Sequence, residues 1–189
     1  MWTYLSTWVV QDGEIAELFP GAALNDYGVR ASGRVEATAP SDGIVRVEGP
    51  DPDGYDTVTH RVTGTVVWSR PETWEWVIRV GDIEVLASSG DLHPPAQHGE
   101  RVSILCSLSV IPEYEWLAYG LPNGRRNWLV KSIAIQHREM ELREDGWYPT
   151  RVIGIEELDK MSRWTDELPN HGSAYLLDLY PESKPTTSG

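Results

Sequence analysis

The chain reads as a mainly β protein, an antiparallel barrel or sandwich with a short helix and a final strand near its C-terminus. Three observations predict this. Alternating apolar and polar residues recur along most of the 189 residues, and that two-residue period marks half-buried strands. Trp, Tyr and β-branched residues fill those runs, as a pleated surface favours. Pro, Gly, Asn and Asp gather between the runs, where turns need them.

The first run, WTYLSTWVV (2–10), sets Trp2, Tyr4, Ser6, Trp8 and Val10 against Thr3, Leu5, Thr7 and Val9, a strand by chemistry and period. FPG at 19–21 and NDYG at 25–28 punctuate the next stretch of chain. VRASGRVEAT (29–38) and IVRVE (44–48) read as two strands joined by APSDG, and GPDPDGYD (49–56) reads as a loop. HRVTGTVVWS puts Val62, Val66 and Trp68 on one parity around Gly64. A glycine inside a strand marks a bulge, a bend or a close approach of backbone. RPE then turns the chain into TWEWVIRV (73–80), where Trp74, Trp76, Ile78 and Val80 oppose Thr73, Glu75, Val77 and Arg79. The all-apolar parity predicts core. A stacking platform would interleave basic groups on the same face, and Arg79 lies on the other. Gly81-Asp82 before IEVLAS predicts a type II′ hairpin, so these runs form a three-strand meander.

SSGDLHPPAQHG (88–99) is a loop. ERVSILCSLSVI (100–111) is the cleanest strand, with Val102, Ile104, Cys106, Leu108 and Val110 inward and a polar outer face. A long connection, 112–127, precedes WLVKSIAIQHREMELR (128–143), which begins apolar and ends charged. The switch of apolar parity along it calls for a bulge or a strand leaving the sheet. In IEELDKMSRW (155–164), Ile155, Leu158, Met161 and Trp164 recur every three residues, which predicts a helix. AYLLDLY (174–180) predicts a last strand, and PESKPTTSG a disordered tail. The expected organisation is one compact domain: an N-terminal β segment (1–56), a barrel core (57–143), a C-terminal α/β extension (144–180) and the tail (181–189).

At an offset of 31, RASGRVEATAP (30–40) aligns with RVTGTVVWSRP (61–71), sharing R-x-[ST]-G-x-V-x-x-[ST]-x-P. A duplicated unit would produce this. So would two strands that each need a Gly bend and a Pro turn, and that reading is preferred. A bent first strand in a meander, followed by a linker and two further long strands, resembles the OB-fold in element order. No sequence motif accompanies the resemblance, and 88–99 is too Pro-rich for the helix that such a barrel often carries.

Composition narrows function. The chain carries 16 basic and 29 acidic side chains, for a net charge of −13. Phosphate backbones are bound by neutralising Lys and Arg, so nucleic acid is not expected, nor is an anionic membrane surface. A basic protein partner is. Residues 112–151 alone escape the bias, with 6 basic and 6 acidic side chains. One cysteine, Cys106, allows no internal disulfide and fits a reducing compartment. The N-terminus has no basic region and reaches Asp12 and Glu14 early, so neither a signal peptide nor a membrane span is expected, and the protein reads as cytoplasmic.

The candidate binding surface is EYEWLAYGLPNGRRNW (113–128), through Tyr114, Trp116, Tyr119, Arg125, Arg126 and Trp128. Trp, Tyr and Arg dominate binding hot spots, and long connections are often functional. The alternative is a loop that seals the end of a barrel. No cofactor or metal is called for: His60, His93, His98, His137 and His171 are scattered, and DPDGYD (51–56) lacks the order of a calcium loop. No G-x-S-x-G, Walker or G-x-G-x-x-G motif occurs. The leading expectation is an acidic accessory or immunity-like protein that binds another protein. An OB-like module for an oligonucleotide or small ligand, and an enzyme of unrecognised type, are the rivals.

Overall fold

The computed structural model describes residues 1–5, 9–10, 14–15, 17–47, 58–70, 75–89, 96–112, 116, 124–162 and 174–182. The elements among these residues are twelve strands: β1 (Trp2–Leu5), β2 (Glu17–Leu18), β3 (Ala23–Glu36), β4 (Gly43–Val47), β5 (Thr59–Arg70), β6 (Glu75–Val80), β7 (Ile83–Ser89), β8 (Arg101–Ile111), β9 (Arg126–Arg143), β10 (Gly146–Leu158), β11 (Met161–Ser162) and β12 (Ala174–Pro181). Ten of them form one sheet; β2 and β11 form a small second one.

The spine is the antiparallel ladder of β3 and β8, from Gly28 opposite Ile111 to Glu36 opposite Ser103. At one end, the outer edge of β3 takes β7 in parallel over Val29–Gly33, and the outer edge of β8 takes β5 over Arg101–Cys106. The β5–β6–β7 meander joins these two flanks, so β3, β7, β6, β5 and β8 close a ring. At the other end, Ala23–Tyr27 of β3 pairs with β9, and Ser109 of β8 pairs with Tyr4 of β1. β12 bridges β9 and β1, closing a second circuit on the same ladder. The sheet is therefore mixed, since two of its pairings are parallel.

Alternation places the core. Val102, Ile104, Cys106, Leu108 and Val110 of β8 all face the main apolar cluster, as their parity predicts. Trp76, Ile78 and Val80 join them, so Trp76 builds the wall; Trp74 lies outside the described residues. Val77, on the opposite face of β6, is also fully buried, against Leu86, Ile111 and Trp116. A bulge sits between Val66 and Trp68 where β5 pairs with β6. It turns Trp68 away from Val66 and into that outer cluster. A second bulge, between Val130 and Ser132 opposite β12, lets both Val130 and Ile133 face the core. The parity switch expected from Ile133 and Ile135 to Met140 and Leu142 falls instead where β9 runs on beyond its last β12 partner, Gln136, with β10 still paired to it. Gly81 has φ of 62° while Asp82 keeps a negative φ, as a type II′ turn requires.

One expectation is corrected. Residues 155–158 are the end of β10 and Met161–Ser162 form β11, so the helix expected over 155–164 is not formed through residue 162; 163–164 lie outside the described residues. The three-residue spacing arises because Leu158 and Met161 meet the core from two different strands, β10 and β11, rather than from one helical stripe. The two strands expected over 29–38 and 44–48 are β3 and β4; β4 pairs with β5, and β3 with β7, β8 and β9. The 30–40 and 61–71 segments both pair with β8, through β3 and β5, and differ in their other neighbours. Their shared glycines serve a common local need. A Cβ on Gly33 would collide with the β8 backbone at Leu105 and Cys106, and one on Gly64 with the carbonyl of Arg79.

Candidate functional site

Where it is described, the 113–128 segment buries both of its tryptophans. Trp116 is 1% exposed. Its ring lies against Gly28 and Gly124, where any Cβ would overlap it, and it covers Val77 and Leu86. The two glycines are thus the sequence's provision for a large ring. Trp128 is equally buried and donates from Nε1 to the Tyr27 carbonyl at 2.9 Å. Arg126 stacks over Trp128 at 5.3 Å, pairs with Asp82 at 3.1 Å and donates to the carbonyl of Glu182 at 3.3 Å. One arginine thereby ties β9 to the β6–β7 turn and to the chain beyond β12. Arg125 is half-buried beside it. Tyr114 and Tyr119 lie outside the described residues. The structure thus joins Trp116, Arg126 and Trp128 to the packing of the ring and of its neighbour β9.

Three other places bear on chemistry. His60 and Cys106 stand directly opposite each other on β5 and β8, and both are buried. The Cys106 thiol points to the His60 carbonyl at 3.6 Å. Burial pushes this thiol up to about 12, so no nucleophilic thiolate forms near neutral pH. Burial first, then the Met1 ammonium and Arg46, hold His60 down at about 4, against a smaller upward pull from Asp178. Its Nδ1 has no hydrogen-bond partner. Among the described residues, no three His, Cys, Asp or Glu side chains converge as a metal site would require. His98 is exposed and His137 faces Glu156 at 3.5 Å; His93, His171 and the 51–56 loop lie outside the described residues. An open groove of about 430 Å³ lies beside β2 and the start of β3, lined by Glu14, Glu17, Leu24, Asn25 and Tyr27 among others. Asp26, next to it, has φ of 61° at a bulge in the β3–β9 pairing.

The surface that sequence reasoning missed is the arm made by β9 beyond Gln136 and by β10. Among the described residues, four of the seven exposed large apolar side chains sit there: Leu142 (62% exposed), Ile153 (62%), Ile155 (50%) and Tyr148. Their concentration on one hairpin distinguishes them from the scattered exposed apolar residues of any protein surface. Ion pairs stiffen the arm: Arg151 to Glu139 at 2.7 Å, and Arg143 to Glu141 at 3.1 Å, with Arg143 stacked on Tyr148. The signal was present in sequence as an apolar run that turns charged, followed by Ile153 and Ile155. The helix expected over 155–164 hid it.

No protein-family model, curated protein or solved structure matches this chain.

Among the described residues, no helix is long and apolar enough to cross a membrane.

Proposed function

We propose that the protein acts by binding another protein of basic character, and that the β9–β10 arm is the contact surface. The observation that carries this is the gathering of Leu142, Tyr148, Ile153 and Ile155 on one projecting hairpin. Charge gives the partner its sign. The arm, residues 137–158, holds three arginines against six acids, on a chain of net charge −13. Such a surface attracts a basic partner through steering that salt weakens. An accessory or immunity-like role in the cytoplasm fits these features.

The test places a photo-crosslinker at Ile153 and, as a control, at exposed Phe19 on the small β2–β11 sheet. Both variants are irradiated in native lysate at low and high salt. A basic protein captured from Ile153 alone, and lost at high salt, supports the reading. Equal capture from both positions, or none from Ile153, refutes it.

A second reading rests on the ring. Its pairings, β5–β6–β7 as a meander, β3 parallel to β7 and β8 closing onto β5, resemble an OB-like barrel whose last strand comes first in the sequence. In that reading an oligonucleotide or small ligand meets the 113–128 connection. Arg125→Glu would then abolish binding of single-stranded oligonucleotides without lowering the melting temperature. Unaltered binding by this variant would remove it.

A further inference from the structure

β10 ends the ten-strand order and pairs only with β9 among the described residues. Its two halves treat the open edge differently. The first half contains Pro149, register shifts between Pro149 and Val152 and between Val152 and Gly154, and Arg151 folded back onto Glu139. Proline, bulges and charge are the devices by which edge strands are kept from pairing with other chains. The second half has neither proline nor register shift, and its charges are all acidic. Gly154–Leu158 runs in unbroken register with His137–Ile133, five residues long, which is an ordinary strand length.

The side chains along this half specify what could pair with it. Ile155 is half exposed, and Leu158 is partly buried against the core. Glu156 is 67% exposed, and Glu157 beside it is exposed too. Asp159 comes next, also exposed. Residues directly opposite each other across a ladder share a face, and like charges there are destabilising. A second copy of this chain, laid antiparallel and centred on the same segment, would set Glu156 against its own equivalent. The edge is thus unfavourable to itself. A strand with apolar residues opposite Ile155 and Leu158 and cationic ones opposite Glu156 and Glu157 meets no such conflict.

We infer that the Gly154–Leu158 edge accepts an extended basic and apolar segment of a partner as an added strand. This rests on the protein-binding reading above and adds its mode and chemistry. Main-chain hydrogen bonds to the open edge supply affinity, and the Ile-Glu-Glu-Leu row supplies selection.

The test uses the full chain and a fluorescein-labelled peptide with the core Val-Lys-Lys-Val. A second probe is the same peptide N-methylated at alternate residues, which keeps its charge but cannot complete a ladder. Binding is read by anisotropy, and its location by hydrogen exchange. The expected result is slowed exchange of the 154–158 amides with the unmethylated peptide only, and binding about tenfold weaker in Glu157→Lys. Both probes binding equally would mean charge attraction alone. That overturns strand addition while the crosslinking result still stands for protein binding. Protection at the other edge, Gly43–Val47, or no binding at millimolar peptide, also overturns it. So does a dimer of the free chain that protects 154–158, because the occupant would then be a second copy.

Discussion

Acid should destabilise this protein through His60, and by a predictable amount. The imidazole is 2% exposed, is held neutral with a pKa near 4, and has an ordinary value of 6.5 when unfolded. The unfolded chain therefore binds a proton that the folded chain refuses between these two values. Where the unfolded state holds more protons, stability rises with pH. The contribution of neutral burial is thus complete above pH 6.5 and is lost as pH falls toward 4. Each pKa unit is worth about 1.4 kcal/mol, so the loss reaches about 2 kcal/mol near pH 5 and about 3 kcal/mol near pH 4. Carboxylates titrate in the lower part of this range too, so the comparison must be with His60→Gln, which keeps a polar side chain and removes the titration. Urea unfolding, followed by the fluorescence of the nine tryptophans, gives both stabilities at each pH. The difference between wild type and variant should shift steadily in the variant's favour from about pH 7 to about pH 4. A difference that does not change with pH would show that His60 is not held neutral in the fold, and would refute the reasoning.

The packing sets the outcome of other perturbations. Trp116→Ala should cost about 3–5 kcal/mol in urea unfolding, because it empties a buried site between two glycines, and Gly28→Ala should also destabilise because its Cβ overlaps the same ring. Arg126→Ala loses the Asp82 pair and the stack on Trp128, and should cost about 1–2 kcal/mol, most of it retained at high salt because the stack and the buried stem are not screened. Cys106 should react with Ellman's reagent at the rate of unfolding even at mildly alkaline pH, since its thiol is buried and titrates near 12; rapid labelling of the native chain would contradict this. Leu142→Asp, at another exposed apolar position of the arm, should leave stability within about 0.5 kcal/mol while removing capture of the partner by a crosslinker at Ile153.

Among the candidate residues of 113–128, Trp116 and Trp128 are buried. Trp and Arg are the residues of binding hot spots, but they are equally the residues that seal large gaps. Composition does not separate these uses. Gly28 stands 88 positions from Trp116, and only their contact shows that the ring of Trp116 fills a recess. The same holds for Arg126, whose partners Asp82 and Glu182 are far from it in the chain.

What the sequence determined by itself is local and periodic. The two-residue alternation assigned the inward faces of β6 and β8, the Gly81-Asp82 pair assigned the hairpin, and the broken parity in 128–143 marked where β9 runs beyond β12. Each depends on neighbours within a few residues, where backbone geometry leaves few choices. The tertiary structure decided everything that needs distant strands to meet. It showed that β3 closes the ring in parallel against β7, that Ile155 and Leu158 lie on a strand, and that the apolar residues left uncovered gather on the β9–β10 arm. The physical reason is that strand pairing joins segments far apart in sequence, so the partner that satisfies an edge is chosen by packing of the whole chain rather than by the edge's own residues.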